Sequence, residues 1–482
     1  MKAPVIQILT LFLFLNTALA QQEPTLTATY ERIDNYLTAG SENGFSGAIL
    51  VSRNGELLIN KGYGLANKNT QKLNGPNTVF DIGSNTKQFT AAAILKLVEM
   101  EKMELTDPLE KYFTDLPADK QSITVHQLLS HSAGFVESIG RDFDQIPEQE
   151  FFETLFATEL GFEPGSKYSY SNVGYSILGK IIELASGQSY EAFLQEYLFK
   201  PAGMKSTGYL LGSWNEADLA RGYNRNVLES DPPTTRYAED GLVSWHLLAN
   251  GGINSTQNDM LLWYKALISY KVLSPASTDL LYIPHIMEPS GKYGYSYGWG
   301  VRTTEQGLRL SHNGSNGTFS HTLFWYPEKD VFITYATNAN SAKVEYLAYE
   351  VAKILFDANY QPEPIIDNVY SYTINFMRAN SPTNSEALVD VLKSQYAEEF
   401  ESRGLFNILG NVLLDMEELP EWSLELFKLN VDRFPNDGNL WDSLAYGYLA
   451  NGQEAKAIEC LQKAISLGYT DAQEKLDELT KN

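Results

Sequence analysis

The stretch FDIGSNTKQFTAAAILKLVEM, residues 80–100, decides the reading of this chain. From Thr90 onward it is an apolar helical run. It opens with Ser84 and, three residues later, Lys87. Residues i and i+3 share one face of a helix. A serine at a helix N-terminus meets free N–H groups and the positive end of the macrodipole, both of which favour developing negative charge. A lysine one turn in can serve as its base when desolvation or cationic neighbours lower its pKa. The pair alone is weak, because chance supplies about one or two Ser-x-x-Lys matches in a chain of this length. On the pair alone, a capping serine beside a solvated lysine is the better explanation.

Two further stretches add to it. FEPGSKYSYSNVGYSILG, residues 162–179, has a Pro-Gly turn followed by Tyr170-Ser171-Asn172 just before a helical pattern. A tyrosine facing a Ser/Lys pair can relay a proton, and an asparagine amide can orient the lysine and hold a substrate amide. LRLSHNGSNGTFSHTLFWYP, residues 308–327, carries His312-Asn313-Gly314, which is read as ending a strand. Gly314 would let a substrate backbone approach, and the N–H of Ser315 would complete an oxyanion hole with that of Ser84.

Ser84-x-x-Lys87, Tyr170-x-Asn172 and His312-x-Gly314, in that order, resemble the serine β-lactamase and penicillin-binding protein family in its class C-like branch. LLSHSAGF, residues 128–135, and YSYSNVGYSILGKIIE look like the same branch, and the likeness spans residues 25–358. The resemblance implies an α/β (α+β) fold: an antiparallel sheet flanked by helices, with an all-helical region inserted between its strands. It implies Ser84, Lys87 and Tyr170 as catalytic residues and Asn172, His312, Gly314 and Ser315 as substrate-binding ones. The implied function is that of an exported serine hydrolase acting through an acyl-enzyme on an amide, ester or lactam carbonyl. It needs no cofactor and no metal, and its partner is a small-molecule or peptide substrate. A catalytically silent binder of peptides or cell-wall fragments is the alternative. One departure stands out, since the family usually carries Lys-Thr-Gly where this chain has His312-Asn313-Gly314. A histidine is only partly charged near neutral pH, which weakens the expectation of efficient β-lactam hydrolysis.

Elsewhere the chain fits this reading. Its 482 residues are 43% apolar, enough for a sizeable core. A net charge of −24 argues against sequence-independent nucleic-acid binding and against docking on anionic lipid. Residues 1–20 read as a signal peptide, with Lys2, an apolar run and Ala18-Leu19-Ala20, so a periplasmic or extracellular location without a membrane span is expected. Residues 45–64 read as a hairpin turning at Asn54-Gly55, and helices are expected at 85–103, 124–131, 148–158, 173–186, 190–198, 256–269 and 342–357. Residues 297–337 read as strands, 359–384 as a linker, and 385–482 as a helical tail. Ser423, Phe427 and Pro435 precede Ala457, Leu461 and Tyr469 by the 34-residue period of a tetratricopeptide repeat. Such a tail would pack on the hydrolase unit or offer a surface to a protein partner. Cys460, the single cysteine, reads as a packed small hydrophobe. GYSYG at 294–298 matches a nucleophile elbow, but strand-like sequence follows where that motif needs a helix. Tyr223, Tyr237, Trp245 and Trp299 are candidates for pocket walls, with core packing the default. His131 is expected to be a structural hydrogen-bonder.

Overall fold

A computed structural model describes residues 26–340 and 346–481, and the expected signal peptide lies outside them. Eight strands form one antiparallel sheet: β1 Gly47–Arg53, β2 Glu56–Tyr63, β3 Ile286–Met287, β4 Tyr293–Tyr295, β5 Gly300–Thr304, β6 Gly307–Ser315, β7 Ser320–Tyr326 and β8 Val331–Thr337. Their spatial order is β2-β1-β8-β7-β6-β5-β4-β3. The first hairpin therefore pairs with the last strand, Gly47 opposite Thr337 and Arg53 opposite Val331. More than two hundred residues are inserted between β2 and β3, and helices are the main regular structure of this insertion, beside a few short strands.

Alternation along the strands sends successive side chains to opposite faces. Ile49, Val51, Phe324, Ile333 and Tyr335 pack under helices α1 (Leu26–Glu42) and, near the end of this region, α5 (Leu347–Phe356). Leu50, Leu310, Leu323 and Phe332 face the other way, into the core built around α2 (Thr86–Glu99), α3 (Asn172–Ser186) and α4 (Gln257–Ile268). Helix α2 is buried on all sides from Thr86 to Leu95, which is how a helix inside a core looks. Its Phe89 meets Phe199 and Trp263 edge-on at 5.0 and 4.9 Å. Burying each such side chain is worth about 1.5–3 kcal/mol before entropy is counted.

The expected helices form with small shifts. The segment read as a helix at 342–357 is helical over Leu347–Phe356, and 341–345 lie outside the described residues. The linker expectation needs correction. Residues 380–384 hold only a short turn, but a helix occupies Val369–Ala379, inside the expected linker. Asn368 caps this helix, accepting from the N–H groups of Tyr370 and Ser371, and Val369, Ile374 and Met377 bury its apolar face.

Beyond it the tail is helical. Helices start at Gly404, Pro420, Gly438 and Glu454, so successive pairs repeat 34 residues apart. Cys460 is buried within this layer. The tail packs on the hairpin at 222–230: Asn226 donates to Ser371 Oγ at 3.0 Å, and the Arg225 guanidinium lies over the Tyr370 ring at 4.4 Å. Among the described residues no helix is long and apolar enough to cross a membrane.

Candidate active site

Ser84 sits in a 3₁₀ turn, Gly83–Asn85, that runs into α2 at Thr86. The turn needs a left-handed residue at Gly83, where φ is 52°. A side chain there would also collide with the neighbouring strand, since a Cβ on Gly83 would lie 2.6 Å from Ser315 N. The same closeness holds in reverse. A Cβ on Gly314 would lie 2.1 Å from Ile82 O and 2.6 Å from Ser84 N. Gly314 thus admits the backbone of the Ser84 turn itself, where the sequence reading expected it to admit substrate. The backbone nitrogens of Ser84 and Ser315 flank this contact. Asp81 ties the two elements together, accepting from Gly83 N at 2.6 Å and from Asn316 Nδ2 at 2.7 Å.

Lys87 follows one turn after Ser84. Its Nζ is 3.3 Å from Ser84 Oγ, 2.7 Å from Asn172 Oδ1 and 2.6 Å from the Asn250 carbonyl oxygen. It lies 4.7 Å from the centre of the Tyr170 ring. Burial pushes its pKa well below the ordinary lysine value, and the more distant Asp142 and Glu137 only partly oppose this. A neutral amine has two N–H groups and one lone pair. The two hydrogens satisfy Asn172 and Asn250, which leaves the lone pair for the Ser84 hydroxyl.

Tyr170 and Asn172 arrive together on the segment entering α3. Ser171 caps that helix by accepting from Gly174 N, and Asn172 N bonds to Glu137 O. Burial, partly offset by a hydrogen bond with Ser84, pushes the Tyr170 hydroxyl above its ordinary value, so it stays a phenol. His131 adopts a left-handed backbone with φ 56° and accepts from Ser171 N at 3.0 Å, as the sequence reading expected of it. Its ring lies 4.4 Å from that of Tyr170, centre to centre.

His312 bonds through Nε2 to Tyr295 OH at 3.0 Å and through Nδ1 to Asn313 O at 2.7 Å. Burial first, then the Lys87 charge, push its pKa down to about 3. The second influence fades where Lys87 is neutral, but the first persists. His312 therefore carries no charge near neutral pH, a stronger departure from a lysine anchor than partial protonation.

The structure brings Ser84, Tyr170, Asn172, His312, Gly314 and Ser315 to one open cleft of about 610 Å³, with Lys87 buried at its base. The default of core packing holds for the four aromatic candidates. Tyr223, Tyr237, Trp245 and Trp299 are buried in the body, and the cleft is lined instead by Tyr168, Tyr293, Tyr295, Tyr346 and Tyr349. Sequence reasoning also missed the Asn250 carbonyl, although the paired glycines of NGGINST marked that turn. Ser296 is wholly buried and donates to Leu280 O at 3.0 Å, which leaves it no elbow.

Comparison with known proteins places these residues in a wider set. The Beta-lactamase family profile matches residues 33–356 and leaves the helical tail outside. The protein PbpX of Bacillus subtilis (strain 168) is 33% identical over 325 residues, covering 67% of this chain and 78% of its own. The octameric penicillin-binding protein homologue from Pyrococcus abyssi is similar in structure with a TM-score of 0.59 and 25% identity, over 72% of this chain and 81% of that one. A class C beta-lactamase shares the fold with a TM-score of 0.60 at 19% identity, over 71% of this chain and 99% of its own.

Proposed function

The chain belongs to the beta-lactamase family, and from that premise we propose that it is a serine hydrolase working through an acyl-enzyme at Ser84. Ser84 Oγ attacks the substrate carbonyl carbon while Lys87 Nζ takes the hydroxyl proton. The oxyanion is held by the N–H groups of Ser84 and Ser315. Collapse breaks the bond to the leaving group, which receives a proton through Tyr170. Water then attacks the acyl-enzyme with the same groups in reverse roles. Asn172 fixes the amine of Lys87, and His312 with Tyr295 shapes the wall beside Gly314.

One observation carries this reading: the Lys87 side chain is buried with its Nζ 3.3 Å from Ser84 Oγ, 2.7 Å from Asn172 Oδ1 and 2.6 Å from Asn250 O, so that a neutral amine donating to the last two keeps its lone pair for Ser84. The neutral His312 favours ester or amide substrates over efficient lactam turnover, because no fixed charge stands where the family places its lysine. The proposal includes an exported protein, on the reading of residues 1–20, with a hydrolase unit at 25–358 and a helical unit at 385–482.

Intact-mass spectrometry after exposure to a fluorophosphonate, and separately to a penicillin, tests the chemistry. A phosphonyl adduct on wild type and on Ser296→Ala, absent from Ser84→Ala, is expected. A penicilloyl adduct as well would extend the substrates to lactams or cell-wall peptides. Folded protein that takes no adduct would instead mark a silent binder.

A further inference from the structure

The active-site cleft extends beyond the groups that chemistry needs, onto the sheet face covered by α5. Arg309, Ser311 and Asn313 alternate along β6 toward that face, beside Phe324 of β7. Arg302 on β5 lies directly opposite Arg309 in the register, so both side chains point to the same face. Like charges directly opposite each other on paired strands are destabilising. Here they persist in a chain with 60 acidic residues against 36 basic ones.

Arg309 is only 6% exposed. Its guanidinium stacks over Phe324 at 4.4 Å and Tyr349 at 4.9 Å. Its polar contacts are the Tyr349 hydroxyl, at a long 3.5 Å, and the Tyr326 hydroxyl. Its Nε has no partner among the described residues. No carboxylate among the described residues pairs with either arginine. A buried guanidinium without an anion leaves a large desolvation penalty uncompensated. An aromatic-flanked planar fork of this kind suits a carboxylate or a similar planar oxyanion.

We propose, building on the hydrolase reading, that Arg309 and Arg302 form a subsite for an anionic group carried on the substrate far from the scissile carbonyl. The distance follows from the strand. Arg309 is five residues from Gly314, or about 17 Å of chain at 3.4 Å per residue, less the reach of the arginine. The anion is therefore separated from the reacting carbon by a spacer of many bonds, and is not a carboxylate adjacent to the scissile bond. The aromatic rings between the two ends favour an apolar spacer.

Binding to the full-length Ser84→Ala protein tests this without depending on catalysis. Calorimetric titration compares decanedioic acid monoanilide with its terminal carboxamide. The carboxylate is expected to bind on the order of tenfold tighter, about 1.4 kcal/mol, because its charge strengthens the hydrogen bonds it accepts. That preference should fall to near unity in Ser84→Ala/Arg309→Gln and be reduced in Ser84→Ala/Arg302→Gln. Arg302 is exposed, so its variant remains informative if Arg309→Gln does not fold. Equal affinities in Ser84→Ala, no binding by either probe included, or a preference that survives both arginine changes overturn the proposal. Fluorophosphonate labelling of Arg309→Gln and Arg302→Gln on the Ser84 background separates this failure from failure of the hydrolase reading. Retained labelling leaves the nucleophile intact whatever the titrations show.

Discussion

Lys87 has two hydrogens and one lone pair when neutral, and three different groups surround it, so each substitution around it has a distinct consequence. Lys87→Met removes the base and is expected to cut the acylation rate by about 10²–10⁴, read as the rate of fluorophosphonate labelling by mass. Asn172→Asp places a carboxylate where Oδ1 now accepts from Nζ. An adjacent negative charge favours the ammonium form. The acid limb of the kcat/KM profile for an ester should then move to higher pH, and an unchanged limb would exclude Lys87 as the group that titrates there. His321 gives a stability test on the same scale. Buried, with Thr334 Oγ1 at 2.9 Å from its Nε2, it is held down to about 3 by burial and then by His312. The unfolded chain takes up a proton on this residue near 6.5 and the folded one does not. Stability associated with it is therefore full above 6.5 and falls as pH drops toward 3. The melting-temperature gap between wild type and His321→Asn should be widest near pH 7 and narrow on acidification.

At the scale of elements, the decisive contact is between the Ser84 turn and β6. Both sides are backbone, so neither can move aside as a flexible side chain would. Gly314→Ala is expected to leave the circular dichroism spectrum native but reduce phosphonylation by about 10²-fold or more, because an ångström of displacement at Ser84 costs that much. Normal labelling would show that the strand and the turn can separate without harm. The turn before α4 contributes in a similar way. Ala249 takes φ 68°, which non-glycine residues rarely adopt, and Thr90 Oγ1 donates to its carbonyl. That turn presents the next carbonyl, Asn250 O, to Lys87. Local strain near a site persists only where packing over-determines it, and here buried Tyr209 and Thr90 both grip the turn.

For the whole molecule, the helical tail is part of the packed body. Val227 on the 222–230 hairpin packs into the tail's own core, and Lys68, lowered to about 8 chiefly by burial, lies near Asp367. Ending the chain at residue 362 should lower the melting temperature by about 1–2 °C, as losing about 1–2 kcal/mol does at about 2.1 cal/mol/K of unfolding entropy per residue in a chain of this size. An unchanged melting temperature, with unchanged activity, would make the tail a free appendage. Much of this architecture could be read from the chain. Asn54-Gly55 between apolar runs marks a hairpin because few other residues accept that turn, and the periodic runs read at 85–103 and 173–186 mark helices, which the structure bounds at Thr86–Glu99 and Asn172–Ser186. Ser84, Lys87, Tyr170, Asn172, His312 and Gly314 could be picked out because their spacings along the chain are themselves the motif. What the sequence could not show was anything depending on distance between segments far apart in number. The Asn250 carbonyl has no side-chain signature, and Arg302 and Arg309 look like ordinary solvated strand charges until their register and burial are known. The state of His312 was likewise undecided, since a pKa is set by desolvation, and burial exists only once the chain has closed around the residue. The sequence determined which groups are candidates for the chemistry; the tertiary structure decided how deeply each is buried, and with that the direction in which its pKa is pushed.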